Sequence, residues 1–178
     1  AAQVDTNLLN NEFFRIEKKI GDLIIKYDNM SDEEAESTKI KYWYPKGIRL
    51  PKNTDKGFDF VEQLWTKRQL LGLSTLWNEI SKIKNDAIRE QMKFIFSATI
   101  SRVNITYNLS MSRQKDGKIK LGDGGAAIFA QYRYWIPKKI IEIKVWESFK
   151  RRFKLILHGK EKWNEITNGF SVKENPSK

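Results

Sequence analysis

Apolar residues recur at three- and four-residue spacing in several stretches of this chain, and each stretch predicts an amphipathic helix. The one that organises the rest spans Tyr134–Trp163, YWIPKKIIEIKVWESFKRRFKLILHGKEKW. A short aromatic run ends at Pro137, a lysine pair follows, and the pattern then turns helical. Val145, Trp146, Phe149, Phe153, Ile156 and Leu157 fall on one face, while Lys144, Lys150, Arg151, Arg152 and Lys154 lie mainly off it. Such a helix buries three aromatic rings and carries positive charge to the surface.

Residues 6–28 predict a second helix, with Leu9, Phe13, Ile16, Ile20, Leu23, Ile24 and Tyr27 on its packing face and Asp5 or Thr6 as N-cap. Gly21 weakens it by about 1 kcal/mol relative to Ala. Ser31-Asp32-Glu33-Glu34 reads as a capping box opening a short polar helix to about Ile40. Tyr42-Trp43-Tyr44-Pro45 is extended or turn-like, because the residue before a proline is driven out of the helical region. The loop that follows either offers aromatic and basic side chains for base stacking or is pinned to the core by Trp43, and the second reading is preferred.

From Thr66 onward Leu70, Leu73, Leu76, Trp77, Ile80 and Ile83 line one side of a helix, with Lys67, Arg68 and Gln69 in its first turn. A further helix is expected from Asp86 to near Asn108, capped by Asn85 or Asp86. Ile88, Met92, Ile95, Phe96, Thr99 and Val103 mark its stripe, and Phe94, Ala98 and Ile105 make its other side apolar. A helix apolar on most sides is expected at the centre of a fold. The short Lys82–Asn85 link predicts an antiparallel hairpin of the two. Asp116-Gly117 reads as a hairpin turn beside Ile119 and Leu121, and Ile128 to Trp135 as a further strand. The expected class is therefore mainly α (α+β), with a small β element near 117–136. The domains are a helical arm at 1–40, a helical body at 41–168 and a disordered tail at 169–178.

Composition adds partners to this outline. The 178 residues carry 33 Lys/Arg against 22 Asp/Glu, a net charge of +11. Residues 1–40 hold five basic and nine acidic residues, so the remainder is strongly positive. A basic body behind a mildly acidic arm is the footprint of a polyanion binder, most often of nucleic acid. Ten Phe, six Trp and six Tyr supply a core. With no run of 18 apolar residues and no basic-then-apolar leader pattern, a cytoplasmic protein without membrane contact is expected.

The sequence offers no convincing catalytic constellation. The chain has no Cys and a single histidine, His158, which is expected near the C-terminal end of the last helix. GDGGAA at 122–127 lacks the Lys-Ser or Lys-Thr of a phosphate loop and reads as a mobile turn. Ser97, Ser101 and Ser110 have no neighbouring base, Glu33-Glu34 lacks apolar surroundings, and Glu142 and Glu147 read as surface carboxylates among lysines.

Two phrases carry a resemblance. FVEQLWTKRQLLGLSTLWNEISKI (60–83), preceded by YWYPKGIRLP (42–51), resembles a segment of bacterial adenine-type DNA methyltransferases of restriction–modification systems. YWIPKKIIEIKVWESFKRRFKLILHGKE (134–161) is similar to a later phrase of the same group, in the same order and at matching spacing. The likeness covers roughly residues 42–163. The family's (Asp/Asn/Ser)-Pro-Pro-(Tyr/Phe) motif and its Phe-x-Gly-x-Gly loop for S-adenosylmethionine are both missing. The resemblance thus implies the target-recognition-containing region of such an enzyme, catalytically silent alone. S-adenosylmethionine belongs to the full enzyme, and the expected partners are double-stranded DNA and the catalytic segments.

On that reading the nucleic-acid contacts fall to Lys67, Arg68, Arg102, Arg113, Gln114, Lys138, Lys139, Lys150, Arg151, Arg152 and Lys154, with Arg113 and Gln114 as candidates for base contact. Two alternatives remain open. One is a helical interaction module that docks or self-associates through residues 6–28. The other is an RNA binder that stacks bases on Tyr132, Tyr134 and Trp135.

Overall fold

Among the described residues each α-helix start is fixed by a side chain that satisfies otherwise orphaned amides. The computed structural model describes residues 5–50, 59–105, 110–113, 119–122 and 142–171, with backbone alone at 110–113, 119–122 and 168–171. Helix α1 (Thr6–Asp28) is capped by Asp5, whose carboxylate accepts from the Asn7 and Leu8 amides at 2.9 and 3.1 Å. The capping box read at Ser31 and Glu34 forms and opens α2 (Asp32–Ser37). A second box, Thr66 with Gln69, opens α3 (Lys67–Ser81), and Asn85 caps α4 (Asp86–Ile100). Strands β1 (Ser110–Arg113) and β2 (Ile119–Gly122) pair antiparallel, with Arg113 opposite Ile119. Helix α5 (Val145–Ser171) follows. The chain is mainly helical, as its periodicity indicates.

One core joins α1, α3, α4 and α5. It is built from Leu9, Phe13, Ile16, Ile20 and Ile24 of α1, Leu73, Leu76 and Ile80 of α3, Met92, Ile95 and Phe96 of α4, and Val145, Trp146, Phe149 and Phe153 of α5. The N-terminal helix is thus not a separate arm: its apolar stripe is spent on its own core. Phe13 is the pivot, stacked on Phe153 at 4.0 Å between centroids and on Trp146 at 6.1 Å. Gly21 has a packing reason for its helix position. A Cβ there would lie 3.2 Å from Trp146 Cζ2, so its absence admits the indole against α1.

Several expectations are corrected. The central helix is α3, buried along Gln69–Leu76 on every side, whereas Phe94 leaves α4 amphipathic by pointing to solvent. α4 ends at Ile100, short of Asn108. Val103 and Ile105 keep the periodicity because the chain stays against the body, with the Ile105 amide donating to Leu64 O at 2.9 Å. α2 stops at Ser37 rather than Ile40, and Leu23 faces solvent. The described part of the β element is the strand pair 110–113 and 119–122, so it begins before the expected 117; the rest of the 117–136 expectation, including the strand read at 128–135, lies outside the described residues. α5 continues to Ser171, which places His158 in mid-helix rather than near its C-terminus.

Candidate functional site

The segment before α5 is held by hydrogen bonds from residues far away in the chain. Asp28, the last residue of α1, accepts hydrogen bonds from the Val145 and Trp146 amides at 2.9 and 3.0 Å, a cap for α5 delivered from across the fold. Just upstream, Glu142 accepts from Thr66 Oγ1 at 2.7 Å and from Arg68 Nε at 3.1 Å, with Arg68 Nη2 as a further partner. Gln69 Nε2 donates to Ile143 O at 3.2 Å. Arg68 also binds Met30 O at 2.7 Å and Asp32 at 2.8 Å.

This corrects two sequence readings. Glu142 is a half-buried carboxylate at the start of α3, not a surface carboxylate among lysines. Arg68, expected at phosphate, has its guanidinium occupied within the fold. Burial pushes the Glu142 carboxyl up, but the Arg68 and Thr66 hydrogen bonds outweigh it and hold the group below its ordinary 4.5.

The other candidates are dispersed. Lys67 opens α3, Arg102 follows the end of α4, and Arg113 closes β1. Lys150, Arg151, Arg152 and Lys154 lie on the first turns of α5, behind its buried face. Lys150 pairs with Glu147 at 3.0 Å, while Arg151 and Lys154 are exposed. Gln114, Lys138 and Lys139 lie outside the described residues, as do Tyr132, Tyr134 and Trp135 of the RNA reading. The packing face of α1, part of the segment through which the alternative reading has the chain dock or self-associate, is covered by α3, α4 and α5, while Leu8, Phe14, Leu23 and Ile25 of the same helix are exposed.

A cleft that the sequence pattern did not announce lies between α3, α4 and the aromatic loop. Its volume is about 380 Å³. Trp43, Tyr44 and Pro45 form one wall, Trp65 and Trp77 another, and Phe96 and Lys93 of α4 a third. Trp77 stands 5.2 Å from Phe96 and 6.4 Å from Trp43, ring centre to ring centre. Trp43 is 66% exposed, so it forms a lip and does not pin the loop to the core. The loop is held instead by the Gly47 amide on Glu62 at 2.9 Å and by the Arg49–Phe60 bridge.

The Trp65 indole N–H is buried without a partner. An unmade hydrogen bond of that kind costs about 1–3 kcal/mol. Clefts of about 300–1,000 Å³ with apolar walls and few polar groups are the usual form of small-ligand sites.

The chain matches no protein-family model, no curated protein and no solved structure. Among the described residues no helix is long and apolar enough to cross a membrane.

Proposed function

We propose that the chain is the DNA-recognition portion of an adenine-type DNA methyltransferase, holding duplex DNA for catalytic segments that lie elsewhere. The observation that favours this reading is how the basic stretch 106–141 is attached. It carries seven Lys/Arg against two Asp. On one side of it the Ile105 amide is tied to Leu64 O. On the other, Glu142 is gripped by Thr66 and Arg68. Fixing both ends lowers the entropy lost when such a segment engages a ligand. Its described part is a two-stranded ribbon, and the major groove of B-DNA admits a two-stranded ribbon.

Arg68, on this reading, acts on the scaffold rather than on phosphate. Lys67, Arg102, Arg113, Gln114, Lys138, Lys139, Lys150, Arg151, Arg152 and Lys154 remain the proposed contacts. Target bases are flipped for methylation, so a separate element has to grip the phosphates and read the groove. The aromatic cleft does not suit S-adenosylmethionine, because its lining offers a lysine and no carboxylate for a sulfonium. The cofactor is therefore assigned to the catalytic segments.

Fluorescence anisotropy with a labelled duplex at several salt concentrations tests the reading. Binding that weakens steeply with salt is expected, and the log–log slope counts the phosphates neutralised. Joint reversal of Lys150, Arg151 and Arg152 to Glu should weaken affinity with helical content unchanged. Absence of binding at low salt, or affinity indifferent to that reversal, rejects it.

A further inference from the structure

We infer that the outer part of α5, from Leu155 onward, is a self-association surface on which two copies of this chain pair with their helices antiparallel. The pairing is independent of any DNA contact.

Asp28 at the end of α1 caps Val145, and Phe13 nearer its start stacks on Phe153, so α1 and α5 run antiparallel. α1 begins at Thr6, shortly before Phe13, whereas α5 continues from Phe153 to Ser171 and outruns it. On this outer part Leu155, Trp163 and Ile166 are each more than half exposed. With Gly159 they fall within an arc of about 80° on the helix surface. Leu155 and Ile166 are eleven residues apart, three full turns, so the stripe keeps to one face of a straight helix.

Gly159 shows how close the partner comes. Glycine is disfavoured inside a helix, and it persists where something must approach the backbone. Gly21 and Gly72 have such neighbours within the chain: a Cβ would meet Trp146 at the first, and Val145 and Ile24 at the second. At Gly159 nothing lies within 4 Å, so a single copy supplies no reason for it. A second helix crossing the stripe at that point does.

Charge selects a second copy as the occupant. One flank of the stripe carries Arg151 and Lys154 before Gly159 and Glu161 and Glu165 after it, all four exposed. A two-fold axis near Gly159 sets Leu155 of one copy against Trp163 of the other. It also brings the basic end of this flank opposite the acidic end of its mate, and does so twice. Three large apolar side chains per copy fall short of the roughly 1,200–2,000 Å² buried in stable complexes, so the dimer is weak and reversible.

Sedimentation equilibrium of the full chain from about 1 µM to about 300 µM reads the association, with monomer expected at the low end and dimer at the high end. Trp163→Glu combined with Ile166→Glu should leave monomer throughout. Its urea midpoint at about 1 µM, where wild type is also monomeric, should be unchanged, so loss of pairing is separable from loss of fold. Gly159→Leu adds apolar surface. A merely sticky face would pair more tightly, whereas a close crossing should pair about tenfold more weakly. Glu161→Lys with Glu165→Lys should weaken pairing, and mixing that variant with Arg151→Glu, Lys154→Glu should restore it. Monomer at the highest concentration overturns the assignment. So does a dimer that survives Trp163→Glu with Ile166→Glu, tighter pairing in Gly159→Leu, or a mixture that fails to restore it.

Discussion

Asp28 and Trp146 are joined by a hydrogen bond that runs between two helices: the carboxylate ending α1 accepts the Trp146 amide at 3.0 Å and, with its other oxygen, that of Val145 at 2.9 Å. The residue that closes one helix thereby opens another 118 positions later in the chain. Removing it leaves two amides of α5 without acceptors. Asp28→Ala should cost about 1–3 kcal/mol in urea unfolding, and Asp28→Asn, which keeps one acceptor oxygen, less than that. Hydrogen exchange at Val145 and Trp146 should accelerate in the alanine variant. Unchanged exchange there excludes the capping role.

Acid sensitivity should follow Glu142. Its folded carboxyl lies below the ordinary 4.5, so the clamp on Arg68 and Thr66 contributes fully above that value and is lost as pH falls through the lower folded one. Glu142→Gln should therefore be less stable than wild type at neutral pH, and the gap should narrow as pH falls below the ordinary 4.5. Asp28 works the other way. Burial raises its carboxyl above 3.8 despite the two amide hydrogen bonds and Lys144 nearby, so folding favours its protonated form. Asp28→Asn should accordingly steepen the acid loss. Urea midpoints across pH decide both points, and a constant gap between wild type and Glu142→Gln counts against the clamp.

What was legible in the sequence was local. The Ser31–Glu34 box, the Thr66 start of α3 and the Val145–Trp146–Phe149–Phe153 stripe depend on residues three or four apart, and all are found. The Asp116-Gly117 turn signal likewise sits between two strands that do pair. What was missed depends on residues far apart. Arg68 reads as a surface cation until Glu142, 74 positions away, is placed beside it. The cleft exists only because packing α3 on α4 brings Trp77 to Phe96 under a loop bearing Trp43. No spacing in the chain encodes that meeting. The overrun of α4 has the same origin, since Val103 and Ile105 stay apolar for tertiary reasons after the helix has ended.

Glycines should respond oppositely to the same substitution. A Cβ at Gly72 would lie 3.2 to 3.3 Å from Val145 and Ile24, both inside the core, whereas one at Gly159 meets nothing within 4 Å. Gly159→Ala should stabilise α5 by about 0.5–1 kcal/mol through propensity alone. Gly72→Ala gains the same propensity but forces α3 away from α5 and α1, and overpacking costs about 1–3 kcal/mol. The two variants should shift the thermal midpoint in opposite directions. Stabilisation by Gly72→Ala means that the core yields at Val145.

Two tryptophans on α5 give the sharpest contrast. Trp146 is buried among Phe13, Phe149 and Gly21, while Trp163, more than four turns on, is 66% exposed. The helix therefore packs through its first turns and projects beyond Leu157, where its side chains meet solvent. Trp146→Ala should lose about 3–5 kcal/mol, the range for deleting a core aromatic. Trp163→Ala should stay within about 0.5 kcal/mol. Equilibrium denaturation of the two proteins reads both numbers directly. If Trp163→Ala proves as costly as Trp146→Ala, the outer half of α5 is packed against something in solution, and analytical ultracentrifugation of that variant beside wild type would show whether it is a second copy of the chain.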